Sequence, residues 1–309
     1  MRGSQVSKPA TLAQSQTTPV GFTARPASNS RRAWRRFRSN KLALVALTIA
    51  LLLGLLALGA PLITRFISHV GPTDQSLLNQ FQGTSAQHWL GTDEYGRDVF
   101  TRMAYGLRVS LMVGILAAVA HVVIGTLAGA IAGYYGSWVD TVIMRFVDVM
   151  LCIPNLFLLI LMGALITFKP VTLALVIAAL SWFGMARLIR VQILSVKEAE
   201  YVEAARVLGA SNGRILRLHI LPNVTYLIIY SVTGAIPGFI LAETALSYLG
   251  LGIQPPTPSL GNMLSNAIQY LYNSKGLLIY PGLAIWLIVL ALTILGNALR
   301  DALDPRASS

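Results

Sequence analysis

Few side chains in this sequence are able to do chemistry, and they are scattered. The four histidines, His69, His88, His121 and His219, show no metal-ligand spacing and read as structural or interfacial. The single cysteine, Cys152, excludes an internal disulfide and a multi-cysteine metal site, and its apolar surroundings suit packing. A phosphate-binding loop ends in Gly-Lys-Ser/Thr, and none of the five lysines follows a glycine. No Ser/His/Asp set and no pair of catalytic carboxylates is evident. The sequence therefore predicts no catalytic residue, no metal site and no resident cofactor. It points instead to charge in unusual places. Glu243 stands inside an apolar run, where an ionisable group is costly. Asp93, Arg97 and Asp98 crowd a polar segment between apolar runs. Residues 198–223, from Glu198 to Asn223, form a charged island between two more.

That island is rich in helix formers from Lys197 through Leu208. Gly209 ends the helix, because glycine takes a left-handed conformation cheaply. Ser211 is placed to cap a second short helix, from Asn212 to about His219. Pro222 sits where the next helix begins, having no N–H to lose there. Two short helices at an angle, held at a membrane face, are expected.

The elements that must hold these groups are greasy. A mean hydropathy of +0.64 with 55% apolar residues exceeds what a soluble domain carries. Several apolar runs reach the roughly 20 residues needed to span a bilayer. A net charge of +12 raises the question of nucleic acid. Position answers it: nine Lys or Arg fall in the first 41 residues, with no acid among them, just before an apolar run. That bias keeps a segment cytoplasmic, so lipid and not nucleic acid is the expected partner.

In order along the chain, residues 1–30 are polar and expected to be disordered. They are not a cleavable signal, since the first apolar run starts late and is long. In 31–41, Trp34 and Phe37 share a helix face among arginines, which predicts a short helix on the inner membrane surface; a basic anchor without helix is the alternative. Residues 42–108 hold the first span, Leu42 to Ile63, and an external segment. Residues 109–300 form the core. Its second span, Val109 to Gly133, carries Gly125, Gly129 and Gly133 on one face for close helix packing. The third, about Trp138 to Phe168, is capped by Ser137, carries Arg145 and Asp148 as a neutralising pair, and is kinked by Pro154. The fourth runs from Val171 to about Leu188, before a loop over 190–222. The fifth, about Val224 to Leu249, contains Pro237 and Glu243. Prolines keep the external loop 250–275 free of helix and sheet. The sixth covers Leu277 to Leu299, and 301–309 is a cytoplasmic tail. The prediction is an all-α membrane protein with six spans and both ends inside.

Glu203, Ala204, Ala205, Gly209, Leu221 and Pro222 stand in the register of the "EAA" loop of ABC-importer permeases, with His219 at a position that is usually apolar. The stretch from His88 to Leu111, including Asp93, Arg97 and Asp98, resembles one diagnostic of the second permease subunit of dipeptide, oligopeptide and nickel importers. So does Gln254-Pro-Pro-Thr-Pro258, although Ser259 and Leu260 replace an acid and a tryptophan and Asn297 replaces an aspartate. The resemblance covers about Arg31 to Arg306. It implies a type I importer permease whose partners are a related second permease, two ATP-binding subunits that hold ATP and magnesium, and an extracytoplasmic substrate-binding protein. It implies contacts with the ATPase from Glu203, Ala204, Ala205, Arg206, Gly209, Ala210, Ser211 and Arg214. The expected work is import of di- or oligopeptides by alternating access, with nickel complexes, glutathione or other small solutes as alternatives.

Two points stay open at the sequence level. The group at 93–98 reads either as an external lid that meets a substrate-delivering protein or as a self-satisfied turn. Glu243, with Pro154 and Pro237, marks either a translocation pathway or, for the carboxylate, a pairing with another helix. A gradient-driven carrier is one rival class, and it would show inverted repeats and mid-membrane acids; a non-transporting membrane receptor or scaffold that uses the inner loop to bind a signalling partner is the other.

Overall fold

The computed structural model describes Trp34 and residues 36–303. The expected disordered tail, most of the basic stretch 31–35 and residues 304–309 lie outside the described residues. Trp34 and Phe37 stack with ring centroids 6.0 Å apart, so they do share a face.

Among the described residues the regular structure is helical, with isolated bridges only at Thr92–Asp98 and Phe168–Ile253. The main helices are α1 (Lys41–Leu58), α2 (Val99–Tyr135), α3 (Ser137–Leu151), α4 (Asn155–Leu165), α5 (Pro170–Ser181), α6 (Phe183–Lys197) and α7 (Glu200–Val207). They are followed by α8 (Asn212–Tyr248), α9 (Leu260–Gln269) and α10 (Gly276–Leu303). Four of these, α1, α2, α8 and α10, are long and apolar enough to cross a membrane. Two bent pairs, α3 with α4 at 80° and α5 with α6 at 50°, raise the number to six if each pair is one span.

The bends have local causes. Pro154 was expected to kink one continuous helix; instead the helix stops at Leu151 and restarts at Asn155. Proline has no N–H for the ladder and its ring crowds the preceding turn. The second bend, in what reads as a single span from Val171, comes at Trp182 without any proline. There Ser181 Oγ donates to the Ile177 carbonyl at 2.6 Å, a back-bond that competes with the helical ladder.

α2 is the axis of the bundle and packs against α1, α3, α5, α6, α8, α9 and α10. It begins at Val99, ten residues before the expected start, because Asp98 caps it by accepting from the Thr101 N–H at 2.7 Å. Its glycine face is built for α6. A Cβ on Gly125 would lie 2.6 Å from the Met185 Cβ, and one on Gly129 would lie 2.4 Å from the Ala186 carbonyl oxygen. Helices in lipid gain from this close approach, because packing drives their association.

Three local expectations are corrected. Ser137 does not cap α3; Gly136 holds the cap position with φ +63, and no side-chain bond is made there. Asp148 pairs not with Arg145 on its own helix but with Arg187 of α6, while Asp140 pairs with Arg190. The segment 250–275 is not free of helix. Ser259 and Asn262 form a reciprocal capping box that starts α9, and Leu260 is fully buried beneath it.

Candidate functional site

The charged island folds as an elbow between α6 and α8. Ala199 turns extended and admits α7, whose Val202 and Ala205 are buried on one side. Residues three apart share a helix face, so the same two turns leave Glu203, Ala204 and Arg206 exposed. Gly209 then takes φ +82 with nothing within 4 Å of a built Cβ, so its requirement is conformational and not spatial. The Gly209 N–H donates to the Arg206 carbonyl and the Ala210 N–H to the Ala205 carbonyl, both at 3.0 Å, which is the paired closure of a Schellman end. Ser211 does occupy the next N-cap position, extended, but its side chain makes no capping bond. The short second helix expected there is instead the first part of α8, joined through a π-helical turn at Leu216–Ile220.

The predicted contact residues divide by face. Glu203, Ala204, Arg206, Gly209, Ser211 and Arg214 are exposed and Ala210 is partly buried. Ala205, 8% exposed, faces the bundle and packs with Ile215 and Ile220. Of the two alanines only Ala204 is open to the outside. The residues that sequence reasoning passed over are Val207 and Leu208, 82% and 87% exposed, which form an apolar tip just before the turn. Val207 falls off the face marked by Val202 and Ala205, a signal the spacing carried; Leu208 keeps that spacing and stands exposed beyond the last residue of α7, which the spacing did not show. Among the described residues, Glu203, Arg206 and Arg214 form no ion pair.

The second charged group is built the opposite way. Gly91 and Gly96 turn the chain with φ +76 and +68. The Asp93 carboxylate accepts from Arg97 Nε at 2.6 Å and lies 3.3 Å from Arg102 Nε. Arg97 Nη2 donates to Glu94 at 2.9 Å, and Asn266 of α9 donates to the same carboxylate oxygen at 3.2 Å. Asp98 does not join this set. It pairs with His88 Nδ1 at 3.0 Å and caps α2. All six charged or ionisable residues of this group are buried. Burial, and after it the neighbouring Asp93, pushes the Glu94 carboxyl above the usual carboxylate range.

Comparison with known proteins fits this geometry. Residues 125–309 match the family model described as binding-protein-dependent transport system inner membrane component, and that range contains the whole elbow. Residues 28–83 match the N-terminal transmembrane domain of oligopeptide transport permease C. The chain belongs to this permease family. It is 42% identical over 281 residues to a dipeptide transport system permease protein of Alkalihalophilus pseudofirmus, covering 90% of each chain. It is 38% identical to an oligopeptide transport system permease protein of Bacillus subtilis, covering 89% of this chain and 88% of that one. It is 39% identical to a glutathione transport system permease protein of Pectobacterium atrosepticum, covering 90% and 92%. The permease is thus a multi-pass membrane protein similar to the permease subunits of dipeptide, oligopeptide and glutathione transport systems.

The pathway candidates of the permease are not brought together. Glu243 is fully buried and accepts from Ser110 Oγ of α2 at 2.6 Å and from Ser247 Oγ at 2.8 Å. Pro237 is buried in α8, and Pro154 is exposed at the α3–α4 break. A cavity of about 370 Å³ opens elsewhere, between α2, α6 and α8. Its lining includes His121, Gly184, Tyr230, Ser231 and Gly234. The Nδ1 atom of His121 is buried with no hydrogen-bond partner among the described residues.

Proposed function

We propose that this permease is the second membrane subunit of an ATP-driven importer of di- and oligopeptides. The observation that carries this reading is the elbow: one face of α7 is sunk in the bundle, while the charged and apolar residues of the other face are exposed and form no ion pair among the described residues. Glu203 and Arg206 supply polar contacts to an ATP-binding subunit, Ala204 supplies close approach, and Val207 with Leu208 fills an apolar cleft there. The buried side ties that docking to α6 and α8.

In this reading each bent pair is one span. Six spans then place both termini and the elbow on the cytoplasmic side, in keeping with the arginines before α1. A related permease completes the membrane unit, two ATP-binding subunits hold ATP and magnesium, and an extracytoplasmic binding protein delivers solute. ATP favours the state in which the two ATPase subunits close, and that preference shifts the membrane unit between inward and outward openings. Solute passes along the cavity beside His121, Tyr230 and Ser231; Glu243, enclosed by serines, holds helices together. Peptides fit the names of the relatives, and glutathione is itself a tripeptide.

Purification of the full chain from its native membrane tests the assignment. Recovery with a sister permease and an ATPase pair, and peptide uptake that stops when ATP is withheld, are expected. A lone chain that moves solute under a proton gradient would make it a secondary carrier.

A further inference from the structure

The elbow is joined to the bundle by more than apolar packing, and both joints fall on one residue. Tyr134 lies in the last turn of α2, 5% exposed, among the side chains packed under the elbow. A helix leaves its last carbonyls without intrahelical partners. The Tyr134 carbonyl is taken by Lys197 Nζ at 2.7 Å, from the last residue of α6, where the chain enters the elbow. A cation at a helix C-terminus is also favoured by the helix dipole. The same ammonium lies 5.8 Å from the centre of the Tyr134 ring. The Tyr134 hydroxyl then donates to Asn212 Oδ1 at 2.9 Å, on the first residue of α8, where the chain leaves the elbow. One turn of α2 therefore clasps both arms of the loop. The turn itself has no room to slide on α6: a Cβ on Gly133 would lie 3.0 Å from the Arg190 carbonyl and 3.1 Å from the Ile193 Cβ.

We propose that Tyr134 is the positioning residue that makes the elbow a rigid extension of α2, so that displacement of α7 by an ATP-binding subunit reaches the central helix undiminished. The proposal rests on the docking role given to the elbow above. Apolar contact under α7 is non-directional and lets the elbow rock; the clasp adds two directional bonds on opposite arms, and those fix its angle to α2.

The test uses the whole complex in lipid nanodiscs, with Cys152→Ser so that labels are specific. Spin labels at Tyr201, 46% exposed on α7 and outside the proposed docking contacts, and Leu127, 59% exposed on α2, report one distance by pulsed EPR. The expected result is a narrow distance distribution that is the same without nucleotide and with ATP and vanadate. Tyr134→Phe keeps the ring and removes the hydroxyl; Asn212→Ala removes the acceptor. Either variant should broaden the distribution and make it shift on adding ATP and vanadate. Transport per ATP hydrolysed, measured with a radiolabelled dipeptide, should fall about two- to tenfold, the range expected for one neutral hydrogen bond. Asn212→Asp, which retains an acceptor, should restore both readouts. A wild-type distance that changes with nucleotide overturns the clasp, as does a Tyr134→Phe distribution as narrow as the wild type. If no ATPase subunit assembles with the chain, the docking role fails. Broadening in the nucleotide-free Tyr134→Phe sample still decides the clasp.

Discussion

Two regions of this permease carry similar side chains and use them in opposite ways. Between Asp93 and Arg102, two arginines meet two carboxylates inside the protein, and each of the four is 7% exposed or less. Between Glu198 and Arg214, acids and arginines of the same kinds stand in solvent beside an apolar tip. Bringing charges out of water costs several kcal/mol per ion, so a buried set persists only when every member is matched. The first region is matched within the chain and reads as structure. The second, where Glu203, Arg206 and Arg214 form no ion pair among the described residues, suits the docking role proposed above. Charge content alone did not separate them; satisfaction did.

The comparison is broken most severely at Asp93. Asp93→Asn leaves Arg97 and Arg102 buried without their shared carboxylate, and removal of one member of a buried pair costs roughly 3–5 kcal/mol. A marked fall in unfolding temperature in detergent is expected; an unchanged temperature would mean the network is not structural. Next comes Gly209→Ala. Its φ of +82 belongs to the left-handed region, which an L-residue enters at about 1–2 kcal/mol. Thermal unfolding should record a loss of that size, along with weaker capture of the ATP-binding subunit.

A smaller effect separates Glu94 from its neighbours by pH. Its folded-state pKa lies above the unfolded one, so the folded state binds that proton more tightly. The stability it contributes is full below the ordinary carboxylate range and is lost as pH rises through the raised value. Unfolding temperatures of wild type and Glu94→Gln should therefore diverge in favour of the glutamine variant as pH rises towards neutrality. A gap that closes instead would contradict the sign. The smallest change in stability is expected at Leu208→Asp, within about 0.5 kcal/mol because the side chain is solvated. Co-purification of the ATP-binding subunit is where it should show, as a loss; intact assembly would remove the tip from the docking surface.

Much of the elbow could be read from the chain. Helix formers and a glycine at the required stop are local signals, and α7 and Gly209 follow them; Pro222, expected at a helix start, instead lies inside α8 just after its π-helical turn. What escaped was which way α7 is rolled. Ala204 and Ala205 are equivalent as letters, yet one is exposed and the other faces Ile215 and Ile220. The charged turn was left between two readings for the same reason. Asp93 with Arg97 was visible at helical spacing, but Asp98 with His88 and Glu94 with Asn266 of α9 depend on how the loop closes and what lies beneath it. Tyr134 falls one residue past the expected end of the second span at Gly133, because the end of a long apolar helix has no sharp signal when the next residues are aromatic.

The sequence by itself determined that this chain is a helical membrane protein with a charged elbow in a fixed register, because hydropathy, glycine and proline act over a few residues and need no distant partner. Tertiary structure alone decided which charges are spent inside the bundle, which face of the elbow is free, and that Tyr134 holds both of its arms. Those outcomes depend on contacts such as Tyr134 to Asn212, 78 residues apart, and such pairs are set by how helices pack.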